Sequence, residues 1–483
     1  MKTVTPRRLA GAVLCTVLLA GCTAGPDFVK PESGLGEAVL VPRSDYAAGV
    51  PATDAAVPAA WWMLFNDPTL TDLQARAQEG NLDLQMAMER IEQSRAQLGI
   101  AAAQLLPAVA AGAGFAREAL SEHGKLAALG APSSPSDFWQ VAFDAGWEID
   151  LWGRARRARE SAAAALDATV YEREAARVAL AAEVGRTYLQ LRGTQAQLAI
   201  ARENQVLAER ILGLTESRRR NGVATGFEAA SARAQLAATR STVPKLVERR
   251  NSLLNALALL LGEKPRSLDA ALGEARSLPP VPASVPLGVP SALARRRPDI
   301  LRAEAQLHAA TAAIGVAKAD FYPRLALKGR FGLEAFDAGD LASWDSRFFS
   351  VGPTVYLPIF EGGRLTQRLA LSESGQKTAA LAYRKTVLQA WHEVDNALDA
   401  WAAGQQQHAE LSEAYEQNRQ ALHVAERGYR DGAADYLAVL TAQRNLLASQ
   451  SALNDSTTGI TLALVNLYKS LGGGWDPQLG DAR

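Results

Sequence analysis

The side chains that could do chemistry in this 483-residue chain are two cysteines and five histidines, among 51 basic and 51 acidic residues. No two histidines form an HExxH pair, the spacing that places two zinc ligands on one face of a helix. No glycine-rich phosphate loop follows a predicted strand. We therefore expect no enzyme, no metal site and no cofactor. The histidines are His123, His308, His392, His408 and His423.

Cys22 has the most specific chemistry, because it follows a short apolar segment and two small residues. Basic residues precede an apolar run, 9–20, of about a dozen residues, which is the length of a signal-peptide core and too short to span a bilayer. Ala20 and Gly21 supply the small residues that a signal peptidase requires, and the whole segment resembles a bacterial lipoprotein signal. Cleavage before Cys22 would leave it to carry a covalent lipid. A plain secretory signal with an incidental cysteine is the alternative.

The mature chain would keep one cysteine, because Cys15 lies inside the apolar run and is removed with it. No internal disulfide can then form, even in an oxidising compartment. By resemblance to bacterial lipoproteins, Thr23 at the second mature position suggests sorting to the outer membrane. No later segment approaches roughly 18 uninterrupted apolar residues, so we expect no further membrane-spanning helix. Balanced charges favour no nucleic acid partner.

An internal repeat relates the two halves of the chain, since identical residues recur at a constant separation. Gly153-Arg154 recurs as Gly363-Arg364. At the same separation, Glu183-Val184 matches Glu393-Val394, Gly222 matches Gly432, and Leu261-Gly262 matches Leu471-Gly472. Upstream, Gly99 matches Gly315 at a slightly larger separation. These matches predict a tandem duplication.

Each half also contains a long run that is rich in Ala, Leu, Gln and Arg and almost free of Gly and Pro, which predicts a coiled-coil helix. A helix from about Arg154 to Arg220 would be roughly 100 Å long, longer than a globular core requires. Residues seven apart would share one seam of such a helix. The two seams are Val387, Val394, Trp401, His408, Tyr415, Leu422 and Tyr429, and Arg177, Val184, Leu191, Leu198, Gln205, Leu212 and Arg219.

Between the helical runs, apolar and polar residues alternate, which predicts strands. Segments of about ten alternating residues are typical of outer-membrane barrel strands, with lipid outside and a polar lumen inside. The polar positions include four candidates for the lumen, Asp144, Glu148, Lys328 and Arg330. A soluble, half-buried sheet would explain the alternation equally well. The segments are AVAAGAGFA (108–116), FWQVAFDAGWEID (138–150), RLALKGRFGLEAF (324–336) and FFSVGPTVYLPI (348–359).

Four strands per chain are too few to close a barrel, because single-chain barrels begin at about eight strands. An open sheet edge in lipid would leave backbone groups without hydrogen bonds. Three copies of the chain would supply about twelve strands, an even number within the range of known barrels. We therefore expect a homotrimer.

Motifs along nearly the whole chain resemble the outer membrane efflux family of TolC-like channels, and more closely its lipoprotein branch that serves resistance-nodulation-division (RND) pumps. The motifs are GPDF (25–28), WWMLFNDPTL (61–70), NLDLQMAMERIEQSRAQ (81–97), WEIDLWGR (147–154), TYLQLR (187–192), RRRPDI (295–300), IGVAKADFYPRL (314–325), GPTVYLPIFEGGR (352–364) and LYKSLGGGW (467–475). The resemblance implies a mixed fold: a trimeric transmembrane β-barrel of four strands per chain, a long α-helical coiled-coil barrel in the periplasm, and a small α/β equatorial collar.

The expected segments follow this fold along the chain. They are a signal peptide (1–21), a lipid-anchored extended segment (22–60), collar and first helices (61–106), a first β-hairpin (107–153), a first long helical hairpin (154–263), an inter-repeat collar segment (264–297), a helix of the second repeat (298–322), a second β-hairpin (323–363), a second long helical hairpin (364–471) and a C-terminal tail (472–483).

The function implied by the resemblance is passive export through the outer membrane of drugs or other small toxic molecules. The implied partners are a periplasmic adaptor, an inner-membrane RND-type transporter and outer-membrane lipid. A type I protein-secretion duct is an alternative with the same fold. A lipoprotein scaffold that only bridges the envelope, or an enzyme acting on the cell wall, would be of a different class. The amphipathic strands argue against the scaffold, and the lack of a nucleophile with a base argues against the enzyme.

The turns of the long helices, at Gly222 and Gly432, are the expected periplasmic entrance, since glycine allows positive φ where a helix ends. Around the second turn stand tyrosine, arginine and aspartate residues that resemble the family's closed gate. An aspartate at the start of the returning helix could instead cap free amides. The gate candidates are Tyr429, Arg430, Asp431 and Asp435.

The basic motif RRRPDI has two interpretations. Pro298 suits the first position of a helix, and Asp299 suits its positive end. A basic patch for nucleic acid is the rival interpretation.

Overall fold

In a computed structural model, the described residues are 23–31, 52–53, 55, 57–131, 133–280, 282, 285–286 and 296–476. Cys22 and the predicted signal peptide lie outside them. The chain divides into two compact units. The described residues of unit 1 are 23–31, 91–169 and 303–383, and those of unit 2 run from 52 to 90, from 170 to 302 and from 384 to 476, with the gaps given above.

Long helices and paired strands follow one another along the described residues. The helices are α1 (Pro68–Gly80), α2 (Leu82–Ala103), α3 (Arg154–Arg220), α4 (Gly226–Leu260), α5 (Asp269–Leu272), α6 (Pro298–Ala319), α7 (Arg364–Arg430) and α8 (Tyr436–Ser470). The strands are β1 (Ala52–Thr53), β2 (Ala108–Glu118), β3 (Ser136–Ile149), β4 (Val285–Pro286), β5 (Arg324–Ala335) and β6 (Arg347–Tyr356). Helices α3 and α7 have 67 residues each, and α4 and α8 have 35 each.

The four segments predicted as strands pair with one another in unit 1. They form one antiparallel sheet in the order β2-β3-β5-β6. Because side chains alternate between the two faces of a sheet, this register places Phe143, Phe331 and Phe349 in one row on one face. Asp144 and Arg330 lie opposite each other on the other face. The outer edges of β2 and β6 pair with no other described strand.

The apolar face of this sheet is open. Phe143, Phe331 and Phe349 are 56%, 48% and 75% exposed, and Val351 is 72% exposed. A soluble, half-buried sheet would cover these side chains, because monomeric soluble proteins rarely expose a contiguous apolar patch of this kind. The described residues of the chain therefore favour the lipid-facing interpretation of the alternation.

The segment that follows Cys22 packs against helices of unit 1. The guanidinium of Arg157, whose side chain is 5% exposed, forms an ion pair with Asp27. The ring of Phe28 stacks on the imidazole of His308, with their centroids 4.4 Å apart. These contacts hold residues 23–31 against α3 and α6.

In unit 2, the middle of each predicted heptad seam is buried. Val184 and Leu191 of α3 and Val394 and Trp401 of α7 are at most 1% exposed. They belong to one apolar cluster with residues of α1, α4 and α8. The seven-residue spacing therefore marks side chains that are in the core of this unit.

The motif WWMLFNDPTL contributes to the same core. Trp61 and Phe65 are fully buried, and the indole of Trp61 stacks on the ring of Tyr468 at 5.7 Å. Asp67 then caps α1 by accepting hydrogen bonds from the backbone N–H groups of Thr69 and Leu70. Trp61 and Phe65 thus add to the core of unit 2, and Asp67, which follows them, starts α1.

Arg297 decides between the two interpretations of RRRPDI. Its side chain is 8% exposed, and it donates hydrogen bonds to Asp299, Glu393 and the Ser470 carbonyl, at 2.7, 2.7 and 2.8 Å. Burial by itself lowers the pKa of this guanidinium, but the hydrogen bonds and charges of the two carboxylates raise it overall. α6 begins at Pro298, as expected. Arg297 therefore fastens the start of α6 to the end of α8 and is not part of a surface patch.

Candidate functional site

Both predicted tip turns contain glycine in the left-handed conformation. Gly222 has φ +71° and Gly432 has φ +77°. The next residue closes each helix end: Val223 N–H donates to the Arg218 carbonyl at 2.9 Å, and Ala433 N–H donates to the Gly428 carbonyl at 2.7 Å. This is the Schellman arrangement, which favours glycine at the position of positive φ.

Tyr429 joins the two helical hairpins near their tips. Its side chain is 3% exposed, and its ring packs against that of Tyr436 with centroids 5.9 Å apart. The Arg218 guanidinium donates to the Tyr429 carbonyl at 2.6 Å and lies 4.3 Å from the centre of its ring. Burial raises the pKa of the Tyr436 phenol. An arginine from α3 thus binds both the backbone and the aromatic face of the last turn of α7.

Asp435 is the N-cap of α8, because its Oδ1 accepts a hydrogen bond from the Ala438 N–H at 2.9 Å. At the corresponding position of the first hairpin, Thr225 caps α4 together with Glu228 in a capping box. The two hairpins therefore use different residues for one structural task. Only the second hairpin places a carboxylate at the cap itself.

Arg430 and Asp431 are exposed at the same turn. The structure shows neither side chain in an ion pair or hydrogen bond with another described residue. Of the predicted gate candidates, Tyr429 is therefore buried between helices, Asp435 is a cap with an exposed carboxylate, and the other two extend from the tip.

Arg218 is not among the residues predicted from the sequence. It is the first of three consecutive arginines, and its counterpart in the second half is Gly428, so the repeat gives no sign of its role. Its neighbours Arg219 and Arg220 are exposed. The position of Arg218 four residues before the tip glycine is the one signal that places it beside the turn.

The four lumen candidates lie on the polar face of the sheet. Arg330 Nε is 3.2 Å from the Asp144 carboxylate, and another guanidinium nitrogen of Arg330 donates to the Gln140 amide oxygen at 3.0 Å. Glu148 forms an ion pair with Arg154 at 3.2 Å. Lys328 extends from the same face as Arg330, one row away along the strand. The structure therefore brings all four together on one surface.

Among the described residues, no group of three His, Cys, Asp or Glu side chains could hold a metal ion. None of the helices that were described is both long and apolar enough to cross a membrane.

A sequence profile described as outer membrane efflux protein matches residues 73–263 and again residues 289–473. The chain belongs to this family. The pyoverdine export outer membrane protein OpmQ of Pseudomonas putida is 35% identical to it over 474 residues, which covers 97% of this chain and 98% of the relative. The outer membrane protein OprJ of Pseudomonas aeruginosa is 34% identical over 470 residues, covering 96% of this chain and 95% of the relative.

The fold of this efflux protein is also similar to solved structures. The outer-membrane channel OprN aligns with a TM-score of 0.87 and 33% identity, over 94% of this chain and all of that chain. The resemblance predicted from the sequence motifs is confirmed. The protein is an outer membrane efflux channel that extends into the periplasm.

Proposed function

We propose that this chain forms, as a homotrimer, the outer-membrane duct of a tripartite efflux system. The observation that carries the proposal is the four-stranded sheet with an open apolar face and two unpaired edges among the described strands. In lipid, unpaired strand edges are strongly unfavourable, so the sheet must close with other copies. Three copies would give a barrel of about twelve strands with the polar face toward the lumen.

The duct conducts passively, and the energy for export comes from the partner proteins. The relative OpmQ is an outer membrane protein of pyoverdine export, and the family is that of outer membrane efflux proteins, which supports a periplasmic adaptor and an inner-membrane RND-type transporter as partners. The transported molecules are drugs or other small toxic compounds, and the inner-membrane transporter selects them. A type I protein-secretion duct would use the same fold with a different inner-membrane partner.

A tandem duplication accounts for the two helical hairpins. The family profile matches the chain twice, over 73–263 and over 289–473, and the two matches are offset by the same separations as the identical residues. Helices α3 and α7 begin at Arg154 and Arg364, and α4 and α8 begin at Gly226 and Tyr436, so both pairs keep the main separation of the repeat. Each half thus supplies one β-hairpin and one long helical hairpin, and the halves of three chains would surround the duct.

The entrance of the duct lies at the tips, at Gly222 and Gly432, and Tyr429, Arg430, Asp431 and Asp435 form its gate together with Arg218. The contact of Arg218 with Tyr429 supports this assignment, because it fastens the second hairpin to the first at the tip. Opening the entrance would require that contact to break. Cys22 carries the lipid anchor, and the packed segment 23–31 would hold that anchor beside unit 1.

Ionic current through the purified protein in a planar bilayer tests the duct. We expect discrete current steps from the wild type. A non-conducting scaffold is the alternative function, and correctly assembled trimers that insert without current would support it. Restored drug resistance in a deletion strain that expresses the wild-type chain would separate small-molecule efflux from protein secretion.

A further inference from the structure

One cation on the polar face of the sheet has no counter-ion among the described residues. The ammonium of Lys328 is exposed, and the structure shows it in no hydrogen bond or ion pair with the part of the chain that is described. The nearest carboxylates on neighbouring rows are already paired: Asp144 with Arg330, and Glu148 with Arg154. The ammonium of Lys328 is therefore available to bind a solute.

The residues beside Lys328 leave space for that solute. Across the sheet its row consists of Ala108, Gly146, Lys328 and Gly352, so no other side chain in the row is longer than a methyl group. A Cβ atom added at Gly146 or Gly352 would meet nothing within 4 Å. A hollow of about 490 Å³ lies beside this row, lined by Ala108, Gly146 and Lys328 of the row and by Asp144, Arg330 and Ser350 of the next row.

Arg330 does not supply a second free cation in this hollow. Its guanidinium contacts Asp144 and Gln140 and lies 5.3 Å from the centre of the Phe348 ring. The Gln140 amide N–H in turn donates to Glu334 at 3.2 Å. Arg330 is thus held in a network with two carboxylates, those of Asp144 and Glu334, whereas Lys328, about 7 Å away along the strand, stands outside it.

We propose that Lys328 forms a transient binding site for oxyanions, such as the carboxylate or phosphate groups of passing solutes, on the wall of the duct. The inference rests on the proposed function, which places the polar face toward the lumen. Threefold symmetry would put three Lys328 ammonium groups at one level. A lysine suits transit because its ammonium is a strongly hydrated point charge on a flexible chain. Conduction requires a site that attracts a solute and also releases it.

Planar-bilayer recordings of four variants test the site, with citrate and inorganic phosphate as the anions added. Lys328→Gln removes the charge, and Lys328→Arg keeps it. Gly352→Asp places a carboxylate opposite Lys328, and Gly352→Asn is its neutral control of equal size. We expect block by at least one anion in the wild type, Lys328→Arg and Gly352→Asn. In Lys328→Gln and Gly352→Asp, block by the anion should be about tenfold weaker, as for the loss of one charge-assisted contact. The reversal potential of these two variants should shift in the direction of greater cation selectivity.

Wild-type block and reversal potential in both Lys328→Gln and Gly352→Asp would overturn the site. A second measurement does not depend on conduction. In detergent-purified protein, citrate or phosphate should slow acylation of Lys328 by an amine-reactive ester, measured by peptide mass spectrometry, more than that of Lys125, an exposed lysine in the β2–β3 loop. Equal slowing at both lysines would contradict the site, whereas absence of wild-type current would contradict only the duct.

Discussion

At the scale of single residues, Asp435 has a structural task that can be separated from its charge. Its Oδ1 caps α8, and asparagine caps helices about as well as aspartate. Replacing Asp431 and Asp435 together with Asn should therefore weaken cation selectivity and block by multivalent cations, because carboxylates that converge in a trimer attract cations. Single-channel recordings measure both properties.

Asp435→Ala is the matched control for the cap. It should cost about 1 kcal/mol of stability that Asp435→Asn does not, as for other lost N-caps. Unchanged selectivity and block in the double Asn variant, with an intact trimer, would assign both aspartates to structure alone and move the gate to another level.

Cys22 is the second prediction at this scale. Mass spectrometry of the purified mature protein should show a diacylated or triacylated cysteine at the N-terminus. Cys22→Ser should lose the lipid, although the protein could still insert through the apolar face of its sheet. An unmodified mature chain that starts at another residue would refute the lipoprotein assignment.

At the scale of secondary-structure elements, Arg297 joins the start of α6 to the end of α8, and its loss should destabilise the protein. Arg297→Ala would leave Asp299, Glu393 and the Ser470 carbonyl without the group that joins α6 to α8. The buried Ser470 carbonyl would lose its donor, which costs about 1–3 kcal/mol, whereas the carboxylates of Asp299 and Glu393 are exposed enough to be hydrated. The midpoint of thermal unfolding in detergent should therefore fall clearly.

Glu393→Gln is the control for this junction. The side chain of Glu393 is 56% exposed, and exposed ion pairs contribute at most about 1 kcal/mol. The midpoint of thermal unfolding of Glu393→Gln should therefore lie within a few degrees of the wild-type midpoint. Equal losses in the two variants would mean that the charge of Glu393, and not the buried donor set of Arg297, holds the junction.

At the scale of the whole molecule, the unpaired outer edges of β2 and β6 among the described strands predict a trimer. Native mass spectrometry in mild detergent should give three times the mass of the lipidated mature chain. The apolar row of Phe143, Phe331 and Phe349 should be labelled by a photoreactive lipid, whereas Lys328 on the opposite face should not. A monomer or dimer in the mass measurement would exclude closure by three copies.

The sequence by itself determined the types of element in this protein, because both signals are local. Alternation with a period of two marked the strands, and a period of seven marked Val184, Leu191, Val394 and Trp401, which are buried in the core. The tip glycines were also predictable, since positive φ at a helix end favours glycine whatever surrounds it. The constant separation between identical residues showed that these signals occur twice.

Only the tertiary structure decided which residues meet. Arg218 and Tyr429 are 211 positions apart, and no pattern in either helix indicates that they touch. Lys328 and Arg330 look alike on one strand, but the register of β3 and β5 places Asp144 opposite Arg330 and Gly146 opposite Lys328. Partners across a sheet depend on how distant segments align. Whether a charged side chain is paired or unpaired therefore depends on residues outside its own strand.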